Sequence, residues 1–285
     1  MRSAPLALLA LACATCSAHA QTTPRIESAA VPNAPEIDGL GVDSVWAQAD
    51  PANVTVVETS DEGLGSEILV RSVHTETHVY VLVSWEDATP DATHKTWVWN
   101  SAEAAYEPGP DREDVLALAF EHTGEFNADM LSGEEGVWDV WQWKAARTDP
   151  AGHALDKTTR FSREQPAGRA RPFETEDGDT IWISRPEDAG ESPQAQQDAP
   201  SELTRERVPQ YVAGQPTGSA ADVLAKGTWQ AGRWTVEFAR RLNTGHVDDT
   251  AFAPGVTYRM GIAVFDHEEH GHHSASGVIE LHLAP

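Results

Sequence analysis

The sequence predicts an all-β protein: an antiparallel β-sandwich with a long irregular insertion and few short helices. Three observations predict this class. Short runs of β-branched and aromatic residues recur along the 285 residues, many alternating between apolar and polar positions. Gly, Pro and Asp separate these runs, as turn residues do. The 3.6-residue period of amphipathic helices is scarce. Many short strands joined by turns are typical of antiparallel sandwiches or barrels.

The first clear strands form a predicted hairpin. The phrases "ILVRSV" at 68–73 and "VYVLVSW" at 79–85 are separated by "HTETH", which has the composition of a turn. The following strand, "DVLALAFE" at 114–121, alternates, so its two leucines and Phe120 share one face while its valine and alanines share the other. This pattern predicts a strand with apolar contacts on both faces.

The next predicted strand, "VWDVWQWKAAR" at 137–147, also alternates. Trp141 and Trp143 share one face with Asp139, whereas Trp138 and Val140 take the other. A tryptophan stripe of this kind predicts either a packed core or the wall of an aromatic pocket.

The C-terminal part of the sequence predicts another hairpin and two closing strands. The hairpin covers 227–242, with its turn at Ala231 and Gly232. The closing strands are "VTYRMGIAVFD" at 256–266 and "SGVIELHL" at 276–283.

The stretch from about 161 to 221 has a different composition. It is rich in Glu, Asp, Gln, Pro, Gly and Ser and poor in apolar residues. We interpret it as a polar surface insertion, in which only "DTIWISR" and "PQYVAG" have the residues to pack.

The N-terminus has the features of a secretory signal peptide. Arg2 precedes a short apolar run at 6–12, and "AHA" precedes a cleavage point after residue 20. We therefore expect 1–20 to be removed and 21–285 to form a single domain in the periplasm. No other stretch is apolar and long enough to cross a membrane.

Both cysteines, Cys13 and Cys16, lie inside the predicted signal peptide. A mature chain without cysteine excludes disulfides, thiolate metal sites and iron–sulfur clusters. It also excludes covalently attached c-type haem, which requires C-x-x-C-H. Any haem would have to be held by coordination alone.

The charge is strongly acidic. Removal of 1–20 takes away Arg2 and no acidic residue, which leaves 19 basic against 45 acidic residues. Such a charge repels nucleic acids and anionic membranes and suits a partner with basic docking patches.

The sequence also lacks hydrolase motifs, since Ser162 has no G-x-S-x-G context and no Gly-rich phosphate loop follows a strand.

Several phrases, taken in order, resemble one family. They are "PEIDGLGVDSVW", "DREDVLALAFE", "VWDVWQWKAARTDPAG", "GTWQAGRWTVEFARRL" and "FAPGVTYRMGIAVFD", followed by a histidine-rich tail. The series is similar to the haem-binding domain of the ethylbenzene dehydrogenase gamma-subunit family, which includes the haem subunits of dimethyl sulfide dehydrogenase and of chlorate and selenate reductases.

The resemblance implies a β-sandwich that buries one non-covalent haem b. It implies an electron-transfer subunit, not itself an enzyme. Its partners would be the catalytic and iron–sulfur subunits of a molybdopterin oxidoreductase or a soluble periplasmic cytochrome.

The resemblance also implies two axial ligands for the haem iron. The family pairs a methionine before the W-x-W-K strand with a lysine before the last strand. These positions fall on Met130 and His273 here, so the chain departs from the lysine and Met/His is the inferred pair. Such a pair raises the reduction potential of haem. His272 is the alternative to its neighbour, because adjacent side chains on an extended chain point to opposite sides. Glu268 or Glu269 could orient the ligating ring.

Further residues are candidates for contacts with the haem. Trp141 and Trp143 could line its pocket, and Lys144 and Arg147 could pair with its propionates. A core stripe is the simpler interpretation of the two tryptophans. For Lys144 a surface contact, and for Arg147 an exposed salt bridge, are the alternatives to a propionate. His122 is a rival axial ligand.

Two other functions remain open from the sequence. The opening "IDGLGVDSVW" is also similar to the start of sugar-binding sandwiches, in which exposed tryptophans stack on sugar rings. The four histidines of the tail, in the spacing H-x-x-H-x-H-H, could alternatively bind zinc, copper or nickel.

Overall fold

The computed structural model describes residues 23–58, 65–267 and 273–285. For residues 58, 65, 273 and 274 it describes the backbone alone. The predicted signal peptide, with both cysteines, lies outside the described residues, and so do Glu268, Glu269, His270 and His272.

Strands dominate the described residues, and three short 3-10 helices accompany them. The strands are β1 (Arg25–Ala30), β2 (Ala52–Glu58), β3 (Gly65–His74), β4 (His78–Glu86), β5 (Trp97–Asn100), β6 (Ala105–Pro108), β7 (Val115–Thr123), β8 (Gly136–Lys144), β9 (Leu155–Ser162), β10 (Arg171–Glu174), β11 (Thr180–Ser184), β12 (Gln194–Gln196), β13 (Arg207–Val208), β14 (Tyr211–Ala213), β15 (Leu224–Trp229), β16 (Arg233–Arg241), β17 (Thr257–Phe265), β18 (His273–Ala275) and β19 (Ile279–Leu283). The helices are Ser44–Gln48, Asp149–Ala151 and Gly218–Ala221. Within the described ranges no helix has the length and apolar character needed to span a bilayer.

One large sheet contains fourteen of the described strands. Its main path runs β10-β11-β9-β8-β7-β17-β18-β2-β3-β4-β16-β15. Pairing is antiparallel except at β1, which runs parallel to both β19 and β3. A two-stranded sheet, β12-β14, and a three-stranded sheet, β13-β5-β6, lie apart from this path.

The large sheet folds over into two packed layers. Trp141 of β8 lies against Phe238 of β16, with ring centroids 6.3 Å apart. Trp143 of β8 stands edge-on to Trp234 of β16 at 5.0 Å. Because β8 and β16 lie far apart along the sheet, these contacts close the sandwich and confirm the predicted all-β class.

Smaller apolar clusters cover the outer faces of the sandwich. On one side Trp46, from the first 3-10 helix, packs with Tyr80 and Leu82 of β4. On the other side Trp138 packs with Phe161 and Ile181. This second cluster explains why β7 is apolar on both faces, since Ala117 and Ala119 lie against it while the alternate side chains of β7 enter the main core.

The predicted strands coincide with observed strands, and their ends differ by up to three residues. β8 ends at Lys144, because the Lys144 amide donates to the Thr148 hydroxyl and the chain turns. The last strand begins at Ile279, three residues later than predicted. The insertion contributes more order than its composition indicates, since β10 and β11 extend the large sheet beyond β9.

Candidate functional site

Met130 lies in the loop between β7 and β8. The loop is held by Asx turns, in which the Asp129 amide donates to Asn127 at 3.0 Å and the Leu131 amide donates to Asp129 at 2.8 Å. The side chain is 37% exposed, and its sulfur accepts a hydrogen bond from Nη2 of Arg185 at 3.5 Å. Met130 is therefore a surface residue in the loop at the ends of β7 and β8.

A small cavity lies beneath the Met130 loop. It measures about 10 Å³ and is lined by loop residues together with Trp138 and Phe161. Pockets that enclose drug-sized ligands typically measure about 300–1,000 Å³. A porphyrin does not fit this cavity as it stands.

The backbone of His273 lies at the opposite end of the same layer. Residue 273 pairs with Phe265 of β17, which in turn pairs with Val115 at the start of β7. The Met130 loop leaves β7 beyond Thr123. At about 3.3 Å per residue, the levels of Val115 and Thr123 are about 25 Å apart along the strand. The structure therefore does not bring Met130 and residue 273 together.

The rival ligand His122 lies at the other end from residue 273. It sits near the end of β7, half-buried, where the pairing with β8 shifts register between Glu121 and Thr123. His122 therefore shares an end of the sheet with the Met130 loop, while His272 lies outside the described residues.

Trp141 is a fully buried core residue. Its ring lies 4.6 Å from that of Phe120 and packs edge-on against Phe252 at 6.0 Å. The guanidinium of Arg240 lies 4.8 Å above it, a cation–π arrangement. Protein side chains thus occupy the faces that a haem would need.

Trp143 is equally enclosed. Its indole nitrogen donates to Oδ1 of Asp149 at 2.9 Å, and its ring fills the space beside Gly227. The Gly227 amide donates to the same Asp149 oxygen at 2.7 Å. The simpler prediction, a core stripe, describes both tryptophans of β8.

Arg147 is committed to a buried ion pair. Its Nε donates to Oε1 of Glu113, whose Oε2 accepts the amides of Ala146 at 2.6 Å and Arg147 at 3.0 Å. The guanidinium also lies over the ring of Tyr211, 5.4 Å from its centre. Lys144, at the end of β8, is buried as well. Both cations lie inside the protein, and Arg147 faces a protein carboxylate.

The tryptophans as a group bear on the sugar-binding alternative. All ten lie in the described residues, and none is exposed: six are buried and four are half-buried. A sugar-binding platform requires accessible aromatic faces.

Within the histidine-rich tail, the side chain of His267 is described. Its Nδ1 lies 2.8 Å from Oδ1 of Asp266, and both side chains are exposed.

A buried acidic cluster is the feature that the sequence analysis missed. Oxygens of Asp139, Asp156 and Asp249 lie within 4.8 Å of one another inside the sandwich. Asp188, from the insertion, adjoins them through its amide, which donates to the Asp156 carbonyl at 3.2 Å. The position of Asp139 on the inward face with Trp141 was the one sign of a buried carboxylate in the sequence, and it did not indicate the other aspartates.

The cluster has unusual electrostatics. Burial, reinforced by the charges of Asp139 and Asp249, raises the pKa of Asp156 well above its ordinary range. Burial likewise raises the pKa of Asp188 to about 7 and that of Asp249 to about 6. Arg240, fully buried, approaches Asp139 at 2.5 Å and Asp249 at 3.3 Å.

Comparisons with solved structures return sugar-binding proteins of low similarity. Carbohydrate-binding module family 9 from Caldicellulosiruptor kristjanssonii, in complex with glucose, has a TM-score of 0.41 and 12% identity over 91% of this chain and 95% of that one. Its cellotriose complex gives 0.40 and 13% over 91% and 93%. A Bacteroides uniformis protein described as carbohydrate-binding gives 0.44 and 10% over 92% and 100%.

Comparison with protein families identifies the family of the chain. No curated protein matches the chain. A family model described as ethylbenzene dehydrogenase matches residues 43–276, which run from just before the first 3-10 helix to just after β18. Because this match covers most of the chain, the protein belongs to the ethylbenzene dehydrogenase family.

Proposed function

We propose that the chain is an exported, non-catalytic subunit that works with a molybdopterin oxidoreductase and relays its electrons through haem b. The family match over residues 43–276 is the observation that carries the proposal. The signal-like N-terminus supports export to the periplasm. A mature chain without cysteine supports a cofactor held without a covalent bond.

The described arrangement does not fit Met130 and His273 as ligands of one iron. Two axial ligands must approach the metal from opposite sides within a few ångströms, whereas these residues lie at opposite ends of β7. One of the two segments would have to move by roughly 20 Å along the sheet to meet the other. Met130 and His273 remain the axial ligands that the resemblance predicts. His122, which lies at the same end of the sheet as the Met130 loop, is the rival axial ligand.

The acidic surface supports a basic electron-transfer partner. The mature chain carries 45 acidic against 19 basic residues, so a cytochrome with a basic docking patch would be steered towards it. The rate of electron transfer to such a cytochrome should fall as ionic strength rises, because salt screens this attraction.

The deciding experiment is an absorption spectrum of the protein purified from the periplasm of cells supplied with haem. A Soret band is expected, together with its loss or shift in Met130→Ala or His273→Ala. His122→Ala and His272→Ala test the rival positions. A colourless protein that ignores added haemin would overturn the haem proposal. A Soret band unchanged in both Met130→Ala and His273→Ala would keep the haem and reject the predicted ligands.

A further inference from the structure

Four aspartates from four separate segments converge inside the sandwich. Asp139 belongs to β8, Asp156 to β9, Asp188 follows β11 in the insertion, and Asp249 lies between β16 and β17. Their exposed fractions are 1%, 0%, 8% and 6%. Carboxylates are rarely buried without a partner, because their desolvation is costly. Something must compensate four of them in one place.

Arg240 compensates one side of the cluster. Its Nη1 donates to Oδ2 of Asp139 at 2.5 Å and lies 3.3 Å from Oδ1 of Asp249. The amide of Thr250 also donates to Oδ2 of Asp139, at 2.8 Å. The hydroxyl of Thr244 donates to Oδ2 of Asp249. His246, which is partly exposed, has its Nδ1 3.9 Å from Oδ2 of Asp249. One guanidinium neutralises one of four carboxylates, and even with a protonated His246 the carboxylates would be in excess.

On the other side of the cluster, the described residues supply no hydrogen-bond donor. Oδ1 of Asp139, both carboxylate oxygens of Asp156 and Oδ2 of Asp188 are buried and accept no hydrogen bond within the described part of the chain. These four oxygens come from three side chains. Asp156 is fully buried, and one of its oxygens lies within 4.8 Å of one oxygen of Asp139 and one oxygen of Asp249.

We propose that Asp139, Asp156, Asp188 and Asp249 bind a divalent cation, Ca²⁺, in the sandwich interior. Hard carboxylate oxygens select Ca²⁺ or Mg²⁺ over softer transition metals. Ca²⁺ accepts irregular arrangements of oxygens and bidentate carboxylates, whereas Mg²⁺ requires a near-ideal octahedron and retains several waters. Two strands, a loop and the insertion supply these side chains, an irregular set inside a packed core. This arrangement favours Ca²⁺.

The site joins parts of the chain that are distant in sequence. Asp139 and Asp156 belong to one layer, Arg240 belongs to the other, and Asp188 comes from the insertion. A cation shared among them would hold the insertion against the sandwich. This role is independent of the haem, because it involves none of the predicted haem contacts as a ligand.

Protons are the rival means of compensation. Burial already raises the pKa of Asp188 to about 7 and that of Asp249 to about 6, so the cluster without a cation would hold protons near neutral pH. Binding of Ca²⁺ would displace them. Calorimetric titration in two buffers of different ionisation enthalpy measures that release.

The test is a calorimetric titration of Ca²⁺ into the full chain after removal of metal with EDTA, together with thermal unfolding with and without millimolar CaCl₂. One binding site and a higher Tm with Ca²⁺ are expected. Asp156→Asn should weaken binding by about tenfold or more, because it removes a charged ligand. Its Tm should no longer respond to Ca²⁺. Asp266→Asn, in the exposed group of Asp91, Asp266 and His267, is the control and should respond as the wild type does.

Several outcomes would overturn the proposal. They are a wild type that neither binds Ca²⁺ nor gains Tm, an Asp156→Asn variant that responds fully, and a Ca²⁺ response lost in Asp266→Asn alone. If Asp156→Asn does not fold, Asp188→Asn carries the same expectation, since one of its oxygens has no donor and it lies outside the strands. A wild type that binds Zn²⁺ but not Ca²⁺ would also reject the assignment.

Discussion

The indole nitrogen of Trp234 donates a hydrogen bond to Oδ2 of Asp114 over 2.9 Å, which links β16 in one layer to the start of β7 in the other. The same carboxylate accepts the amide of Asp91 at 2.8 Å and that of His267 at 3.1 Å. Asp114 therefore connects both layers, the loop after β4 and the segment that leads into the histidine-rich tail. Its side chain is fully buried.

This geometry predicts that Asp114 makes stability depend on pH. Burial, together with the charge of Asp87, outweighs the amide of His267 and raises the pKa of Asp114 to about 7, from an ordinary value of 3.8. Between these values the folded state binds more protons than the unfolded state, so the free energy of unfolding falls as pH rises. From pH 5 to pH 7 the loss from this group is up to about 2 kcal/mol.

Urea unfolding of wild type and Asp114→Asn at both pH values isolates this contribution. Asp87, Asp91, Asp266 and His267 surround the carboxyl and are common to both proteins. The stability of Asp114→Asn relative to wild type should therefore increase from pH 5 to pH 7. A difference that does not change with pH would show that the Asp114 pKa is not raised.

The buried pair of Glu113 and Arg147 predicts a stability effect where the resemblance suggested a haem contact. The side chain of Glu113 is completely buried, and that of Arg147 is 8% exposed. Arg147→Met would remove the guanidinium partner of a buried carboxylate that keeps its two backbone amides and lies 3.4 Å from Nδ1 of His94. Loss of one member of a buried pair costs about 3–5 kcal/mol of unfolding free energy. The double variant Glu113→Gln/Arg147→Met should recover part of this loss, and chemical denaturation measures all three proteins.

A propionate role for Arg147 gives a different result. In that case Arg147→Met would weaken haem affinity while the unfolding free energy of the haem-free protein stayed within about 0.5 kcal/mol of wild type. Comparing stability with haem affinity in the same variant separates the two roles.

The sequence could predict the strands and their faces because these depend on local periodicity. Leu116, Leu118 and Phe120 share a core-facing side, as the alternation indicates. The acidic cluster could not be predicted, since the strand pattern placed Asp139 inward but gave no sign that Asp156, Asp188 and Asp249 would meet it. Such contacts depend on how distant strands pair.

The same limit applies to the predicted axial ligands. Positions matched along the chain carry no information on register, and the pairing of residue 273 with Phe265 places it at the end of β7 away from Met130. Trp143 gives the opposite lesson. Its inward face was predictable, but whether it borders a pocket or a packed core depended on β15, which lies far away in sequence.

Close packing of Trp143 on β15 predicts that Gly227 tolerates no side chain. A Cβ at Gly227 would lie 2.3 Å from Cζ2 of Trp143, and Gly227 sits in the middle of β15. Gly227→Ala should cost about 2–3 kcal/mol through overpacking. Gly277→Ala is the matched control, since its added Cβ meets no heavy atom within 4 Å. Equal melting temperatures for the two variants would mean that Trp143 borders open space, as a haem pocket requires.

The two methionines that follow the predicted signal peptide differ in environment, and this difference makes the haem experiment interpretable. Met130 is 37% exposed, whereas Met260, in β17, is 1% exposed within the main core. Met130→Ala should change the free energy of unfolding by less than about 0.5 kcal/mol, because it removes little buried surface. Met260→Ala should cost about 2–5 kcal/mol, because it leaves a cavity. Urea denaturation of the haem-free proteins measures both.

If Met130→Ala loses the Soret band while keeping wild-type stability, the sulfur is a ligand of iron, because unfolding cannot account for the loss. If Met130→Ala is destabilised as strongly as Met260→Ala, the loop around Met130 is part of the core, and its exposed position in the structure is wrong.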